Sequence, residues 1–559
     1  MAKIRSFLFP CPRQRDATAI VFSLFGICCG WVAAAAPEVS SLFPSGGQRG
    51  TTTSVQLHAP GAAPDRIWCS QAKLKAALST EPGRMTVTIP SNADFGVYEL
   101  RFINQEGVSA LRRFVVGDLP EINETEPNDL WNKPQKIPYP SIVVNGQHQS
   151  TGDADSFSLT LRRGQTVVAA LMANRILGGL QDAVLQILGP EGFIIAQNED
   201  DWGADPQLVF TALEDGTYVV RTWAFPQKRK TDINLVGDPR MVYRLTLTTG
   251  SFVDHVVPLA IQAGVARKVE LRGWNLEDKS EDLDPPLSSV GQRFSWPSHH
   301  LANRVPASVL VMPHPTRIEH EPNSLQQSQA VELPLSITGH IDSPRDVDAF
   351  RFAAKQGQRL RFEVIARAVG SQMDPVIRIH DSAGVLIKEV DDEGPVLADL
   401  DTEFVIPSDG DYRVAVADRF QHHGARYVYL LNITDAVPDY TLSVGSDVFV
   451  LTSDKELEIP VTVSRTVGFA EVIEVRAVGL PEGVVVSVAQ SEPTGDSSKG
   501  VKLTLTLKNA IPNSVPFEII GKSQCVGTTL VHPAQAPLQT LEASTSKLWL
   551  TTLPLVVKQ

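Results

Sequence analysis

The sequence predicts an all-β protein made of tandem β-sandwiches, and three observations carry that prediction. Apolar and polar residues alternate through run after run, as in Phe157 to Leu161, Tyr243 to Thr249, Arg359 to Ile365 and Lys502 to Leu507. That period puts one face of a strand in a core and the other in water. Gly, Pro, Asn and Asp punctuate the runs, and sustained helical periodicity is nearly absent. One long stretch of the chain is also repeated, and each copy has the size of an ordinary sandwich domain.

Residues 1–36 read as an address. Lys3, Arg5, Arg13 and Arg15 precede an apolar run from Ala17 to Val32, closed by Ala33 to Ala36 before Pro37. A basic start, a short apolar stretch and small residues at its end describe a secretory signal peptide, whereas a spanning helix prefers about 20 apolar residues. The chain is therefore expected to be secreted or to sit in the cell envelope, in the periplasm or at the surface. An uncleaved signal anchor is the alternative, and no other membrane span is expected. Of the five cysteines, Cys11, Cys28 and Cys29 belong to this segment. Cys69 and Cys525 are too few for a disulfide scaffold or a structural zinc site.

Residues 37–117 begin Pro37-Glu-Val-Ser-Ser-Leu-Phe-Pro44, pass a Gly46-Gly47-x-x-Gly50 turn, and end on Gly96-Val-Tyr98 and Phe114-Val-Val116. This pattern resembles an IPT/TIG type of immunoglobulin-like sandwich.

The repeat follows, over 118–250 and 316–435. Glu124-Thr-Glu126-Pro127-Asn128 returns as Glu319-His-Glu321-Pro322-Asn323, and Asp153-Ala-Asp155-Ser-Phe157 as Asp346-Val-Asp348-Ala-Phe350. Gly164-Gln165 matches Gly357-Gln358, Asp182 matches Asp374, and Asp200-Asp201 matches Asp391-Asp392. Asp215-Gly216-Thr-Tyr218 matches Asp409-Gly410-Asp-Tyr412, and the spacing of all these landmarks stays between 191 and 195 residues. Asp-x-Asp-x-Phe opens a strand with its aromatic inward, Gly-Gln turns into the next strand, and Asp-Gly-x-Tyr is a turn whose Tyr packs. Taken together these motifs resemble the bacterial pre-peptidase C-terminal domain, a jelly-roll-like β-sandwich appended to secreted peptidases and other exported proteins.

Residues 251–315 contain Gly264-Val-Ala-Arg-Lys-Val-Glu-Leu-Arg-Gly273-Trp-Asn-Leu276, similar to the central strand of the immunoglobulin-like group but short for a complete sandwich. A reduced or inserted module is expected there. Residues 436–559 look like one more immunoglobulin-like sandwich, with Gly479-Leu-Pro481-Glu-Gly483 turning into Val484-Val-Val486.

Composition agrees. The 559 residues are 20% charged and 43% hydrophobic, with 39 Gly and 39 Pro, which excludes a disordered, collagen-like or polytopic membrane chain. Lys and Arg number 50 against 63 Asp and Glu, a formal net charge of -13. That sign repels nucleic-acid phosphates and anionic lipid, so neither is expected as a partner.

Calcium is the sharpest site expectation. Hard cations take six to eight oxygens. Glu124, Glu126, Asn128, Asp153 and Asp155 supply such ligands in the first copy, and Glu319, Glu321, Asn323, Asp346 and Asp348 in the second. The resemblance implies the same, because collagenases carrying this domain bind calcium near its amino-terminal segment. The alternative is that these residues are turn and cap groups accepting backbone N–H bonds. The loops Asn198-Glu-Asp-Asp201 and Asp391-Asp-Glu393 are expected to be solvated hairpin tips, with a second cation site or a contact surface as the alternative.

Signals for catalysis are weak. His320-Glu321-Pro322-Asn323 starts like a zinc-protease helix but has a Pro and no second His. The loop around Ser497 and Ser498 lacks a strand-to-helix elbow. His299-His300 and His422-His423 point to opposite faces if they lie on strands. Trp131, Trp202, Trp223 and Trp274 suit buried anchors better than sugar platforms. The expectation is a non-enzymatic, multi-domain binding or adhesion protein, presenting loops and edges to an extracellular or envelope protein or polysaccharide. The alternatives are an accessory subunit of a secreted peptidase or other hydrolase, and a calcium-stiffened cell-envelope spacer.

Overall fold

Strands account for nearly all the regular structure. The computed structural model describes residues 35–226, 235–295, 302–303, 308–391, 399–508, 512–525, 527–538, 541 and 543–554. Residues 1–34 of the expected signal segment, and the His299-His300 pair, lie outside them. Helical pieces among the described residues are three-residue 3-10 turns at Leu287–Ser289, Arg367–Val369 and Asp496–Ser498. No helix there is long and apolar enough to cross a membrane.

Alternation builds each layer. Along Leu457–Arg465, Ile459, Val461 and Val463 are buried while Glu458, Pro460 and Thr462 face water. Each large aliphatic side chain so buried contributes roughly 1.5–3 kcal/mol. The opening stretch closes its core between the sheets carrying Thr52–His58 and Gly96–Asn104, with Tyr98, Phe102 and Phe114 inside.

The two copies share one strand order. In the first, Glu121–Asn123, Ser141–Gln147, Val242–Thr248, Thr166–Met172 and Gln207–Thr211 form one sheet. Its partner runs Gln135–Lys136, Asp155–Leu161, Gly216–Pro226, Gln181–Leu188, Ile194–Asn198. The second copy repeats this as Thr316–Ile318, Leu335–His340, Val428–Asp435, Arg359–Ile365, Leu400–Val405 over Gln329–Ala330, Asp348–Ala354, Gly410–Asp418, Pro375–His380, Leu386–Val390. Phe157 and Phe350 point into the cores, as do Tyr218 and Tyr412.

Residues 251–315 form a four-stranded and a three-stranded sheet around a small core of Val253, Val256, Ile261, Val269, Leu271, Leu283 and Val309. Strands of 436–559 make a four-stranded sheet facing a six-stranded one. Cys69 and Cys525 are free thiols.

The stretches dock on one another. Phe252 and Trp274 pack on Val168 and Ala170 of the first copy, and Leu259 and Ala260 on Val428 and Leu430 of the second. The opening and last stretches meet through a buried ion pair between Arg101 and Asp447. Beside it the Trp68 and Trp549 rings stand edge to face, 5.3 Å apart.

Asp201 is no solvated hairpin tip: it is buried, bound by Arg426 and by Gln372 Nε2 at 2.9 Å, both from the second copy. Arg426 Nε also donates to Asp254 Oδ2 at 2.9 Å, so one guanidinium joins three stretches. Asp391 pairs with Arg419, while Asp392 and Glu393 lie outside the described residues. Trp131, Trp202, Trp223 and Trp274 are not fully buried: Trp131 is 41% exposed, and among the described tryptophans Trp549 is the buried one.

Candidate metal centres

Each copy begins with a short strand that pairs in parallel with the sheet, Glu121–Asn123 on Ser141–Gln147 and Thr316–Ile318 on Leu335–His340. The chain then passes Glu-x-Glu-Pro-Asn along the end of the Asp-x-Asp strand. In both copies the Glu-Pro bond is cis. This path brings Glu124, Glu126 and Asp155 together, and equally Glu319, Glu321 and Asp348, with their facing oxygens all within 4.8 Å of one another.

Backbone donors hold part of each cluster. Glu124 Oε1 accepts the Gln147 N–H at 2.7 Å, and Glu126 Oε2 accepts the Asn128 N–H at 3.0 Å. In the second copy Glu319 Oε1 accepts from His340, and Glu321 Oε2 from Asn323 at 3.0 Å. Asn323 Nδ2 donates to Glu319 Oε2 at 3.1 Å.

A tyrosine that the sequence motifs do not reveal closes each site. Tyr243 donates its hydroxyl to Asp155 Oδ2 at 2.7 Å, and Tyr429 donates to Asp348 Oδ2 at 2.7 Å. Both rings need a glycine opposite: a Cβ at Gly146 would lie 2.2 Å from the Tyr243 hydroxyl, and one at Gly339 would lie 2.3 Å from that of Tyr429. Gly146 and Gly339 recur at the repeat spacing, which is the signal that marks this position in the sequence.

Three further observations fit a hard cation. Buried polar atoms there have no hydrogen-bond partner among the described residues: both amide atoms of Asn128, Asp155 Oδ1, Asn323 Oδ1 and Asp348 Oδ1. Such atoms are costly unless something binds them. In the first copy the basic side chain nearest this charge among the described residues does not offset it, since His148, whose Nε2 is 3.9 Å from Asp155 Oδ2, is held neutral by burial that pushes it down to about 3. Burial, and then the neighbouring carboxylates, push Asp155 and Glu124 far up, and Asp348 and Glu319 likewise. A cation relieves this by favouring the ionised forms. Oxygen-only donors of this kind suit calcium rather than a thiolate- or imidazole-seeking metal.

Asp153 and Asp346 stand outside the two groups of facing oxygens. Asp346 caps its turn, accepting the Asp342 and Val347 N–H groups at 3.0 and 2.9 Å. Asp153 accepts the Gln149 N–H at 2.5 Å, and its other oxygen is buried without a partner. The turn-and-cap alternative thus describes Asp346, and Asp153 only through the oxygen that takes the Gln149 N–H. His320-Glu321 lies on the extended opening segment, not on a helix.

No protein-family model matches the chain. A probable subtilase-type serine protease of Deinococcus radiodurans is 28% identical over 248 residues, which cover 43% of this chain and 27% of that protein. This chain thus spans about a quarter of its length. Among solved structures, the pre-peptidase C-terminal domain of a Bacillus anthracis collagenase aligns at 14% identity over 21% of this chain and all of that one, with a TM-score of 0.17. Sidekick-1 immunoglobulin domains 1–4 align at 11% identity over 88% of this chain and 96% of that one, with a TM-score of 0.19. TM-scores this low establish no shared fold.

Proposed function

We propose that the chain is an exported, non-catalytic binding protein for an extracellular or envelope protein or polysaccharide, with calcium fastening the opening segment of each repeated sandwich. Glu124, Glu126, Asp155 and Asn128 hold the ion in the first copy, and Glu319, Glu321, Asp348 and Asn323 in the second. Calcium there supplies positive charge and rigidity rather than chemistry on a substrate. The observation that carries this reading is the recurrence of one arrangement, carboxylates, tyrosine, glycine and orphaned amide, at two places in one chain. Docking among the stretches supports a scaffold with fixed faces over an extended spacer. The stretch similar to a probable subtilase-type protease favours, as second reading, an accessory role beside a secreted peptidase.

Titration calorimetry of the full chain with calcium tests the metal: two sites and a raised melting temperature are expected. Absence of binding heat together with an unchanged melting temperature removes calcium from the proposal. Chelator-sensitive cleavage of peptide or glycoside substrates by the purified chain would overturn the non-catalytic part, and tight co-purification with a peptidase would select the accessory reading.

A further inference from the structure

Because the copies share strand order and register, positions where they differ are informative. On the outer face of one sheet, Leu188 pairs with Val219 in the first copy, and His380 pairs with Arg413 at the same place in the second. Beside them Ser158 and Gln186 become Arg351 and Arg378. The cover changes in step. In the first copy Trp131 lies over Gly192, where a Cβ would come within 2.4 Å of the ring, and Pro190 lies over Gly216, 2.5 Å by the same measure. Gln326 and Ser382 take those places in the second copy, and a Cβ on Gly384 would meet nothing within 4 Å. A cavity of about 330 Å³ results, lined by Leu325, Gln326, His380, Ser382, Gly384 and Arg413 among others.

The charge in this cavity is specific. Arg378 is paired with Glu389 at 2.5 Å and Arg351 with Asp411 at 3.2 Å. Asp381 commits one oxygen to its own turn, accepting the Ala383 and Val385 N–H groups at 2.9 and 2.8 Å. Arg413 forms no ion pair among the described residues. Its Nη1 donates to the Asp381 carbonyl at 3.4 Å, and its Nε is buried with no hydrogen-bond partner among the described residues. His380 is 8% exposed, and its Nδ1 is likewise buried and unpartnered. Burial pushes that imidazole down, toward the neutral form.

We propose that this cavity binds a small monocarboxylate, no larger than one uronic acid residue or one terminal amino acid, with Arg413 taking the carboxylate and His380 and Ser382 its neighbouring polar group. One guanidinium beside a neutral imidazole matches a single negative charge in a planar, forked group. A dianion would leave excess charge next to Asp381. The volume lies at the lower end of small-molecule sites, and the apolar Leu325 wall suits the carbon skeleton. None of the clustered carboxylates Glu319, Glu321 and Asp348 lines this cavity.

Calorimetry and NMR titration of the full chain with glucuronate, N-acetylalanine and neutral glucose test this. At least one carboxylate should bind saturably, and glucose should not. The tighter carboxylate identifies the source, sugar acid or peptide terminus. R413Q should weaken binding about tenfold or more, the usual worth of a charged hydrogen bond. Q326W, which restores the first copy's cover and leaves Arg413 in place, should block binding with an unchanged melting temperature. Failure of both carboxylates to bind, glucose binding as well as they do, or full affinity in either variant would overturn the proposal.

Discussion

Replacing Arg101 by Met puts the docking of the opening and last stretches to a quantitative test. Arg101 is 1% exposed, Asp447 is nearly as deeply buried, and Arg101 Nη1 also donates to the Ser109 carbonyl at 3.0 Å. Removing the cation leaves the Asp447 carboxylate buried and uncompensated, a loss of about 3–5 kcal/mol for pairs of this kind. Local opening of the seam then becomes roughly a hundred to a few thousand times more frequent, since each 1.4 kcal/mol is about tenfold. Hydrogen exchange reads this directly at the amides of Gly107–Val108 and Leu548–Leu553, which flank the pair. The double variant R101M/D447L should recover most of the protection, because an apolar pair of similar volume avoids desolvating two charges. Protection that falls less than tenfold in R101M, or a double variant as weak as the single, would refute the reasoning.

D348N should remove calcium binding from the second copy while leaving the first intact, so the stoichiometry by calorimetry falls from two to one. In chelator, burial raises Glu124 to about 8 and Glu319 to about 7, so the folded chain holds protons that the unfolded chain has released. Stability must then fall as pH rises from about 4, the ordinary carboxylate range, toward those values. Excess calcium should abolish or reverse that slope. Equal melting profiles with and without calcium between pH 5 and 8 would contradict the assignment. R426M should loosen the joint among the three stretches more than D201N/D254N does, measured by limited proteolysis, because it takes the shared cation away from two buried carboxylates rather than neutralising them.

Much of the fold is legible in the sequence because its signals are local. Alternation along Leu457–Arg465 fixes which side chains enter the core, and turn residues such as Gly164-Gln165 mark where strands change direction. The clustering of Glu124 with Asp155 is legible only because the repeat pairs two motifs about 30 residues apart in each copy; one copy alone leaves them as turn residues. Tyr243 escaped because its partner Asp155 is 88 residues away in the chain and a buried tyrosine in a strand looks like any other core aromatic. The docking contacts are harder still. Asp201 reads as a soluble loop residue, since nothing near it in sequence announces Arg426, 225 positions later. Charge pairing at long range is a property of the folded surface, and period or spacing carries no trace of it.

The seam between opening and last stretches also sets how the molecule bears load. A pull that separates those two stretches loads the Arg101–Asp447 contact and the edge-to-face indoles between them, so the seam acts as a mechanical fuse. It would part first and release slack, while the hydrogen-bonded sheets of the two copies stay unstrained until the chain between them is drawn taut.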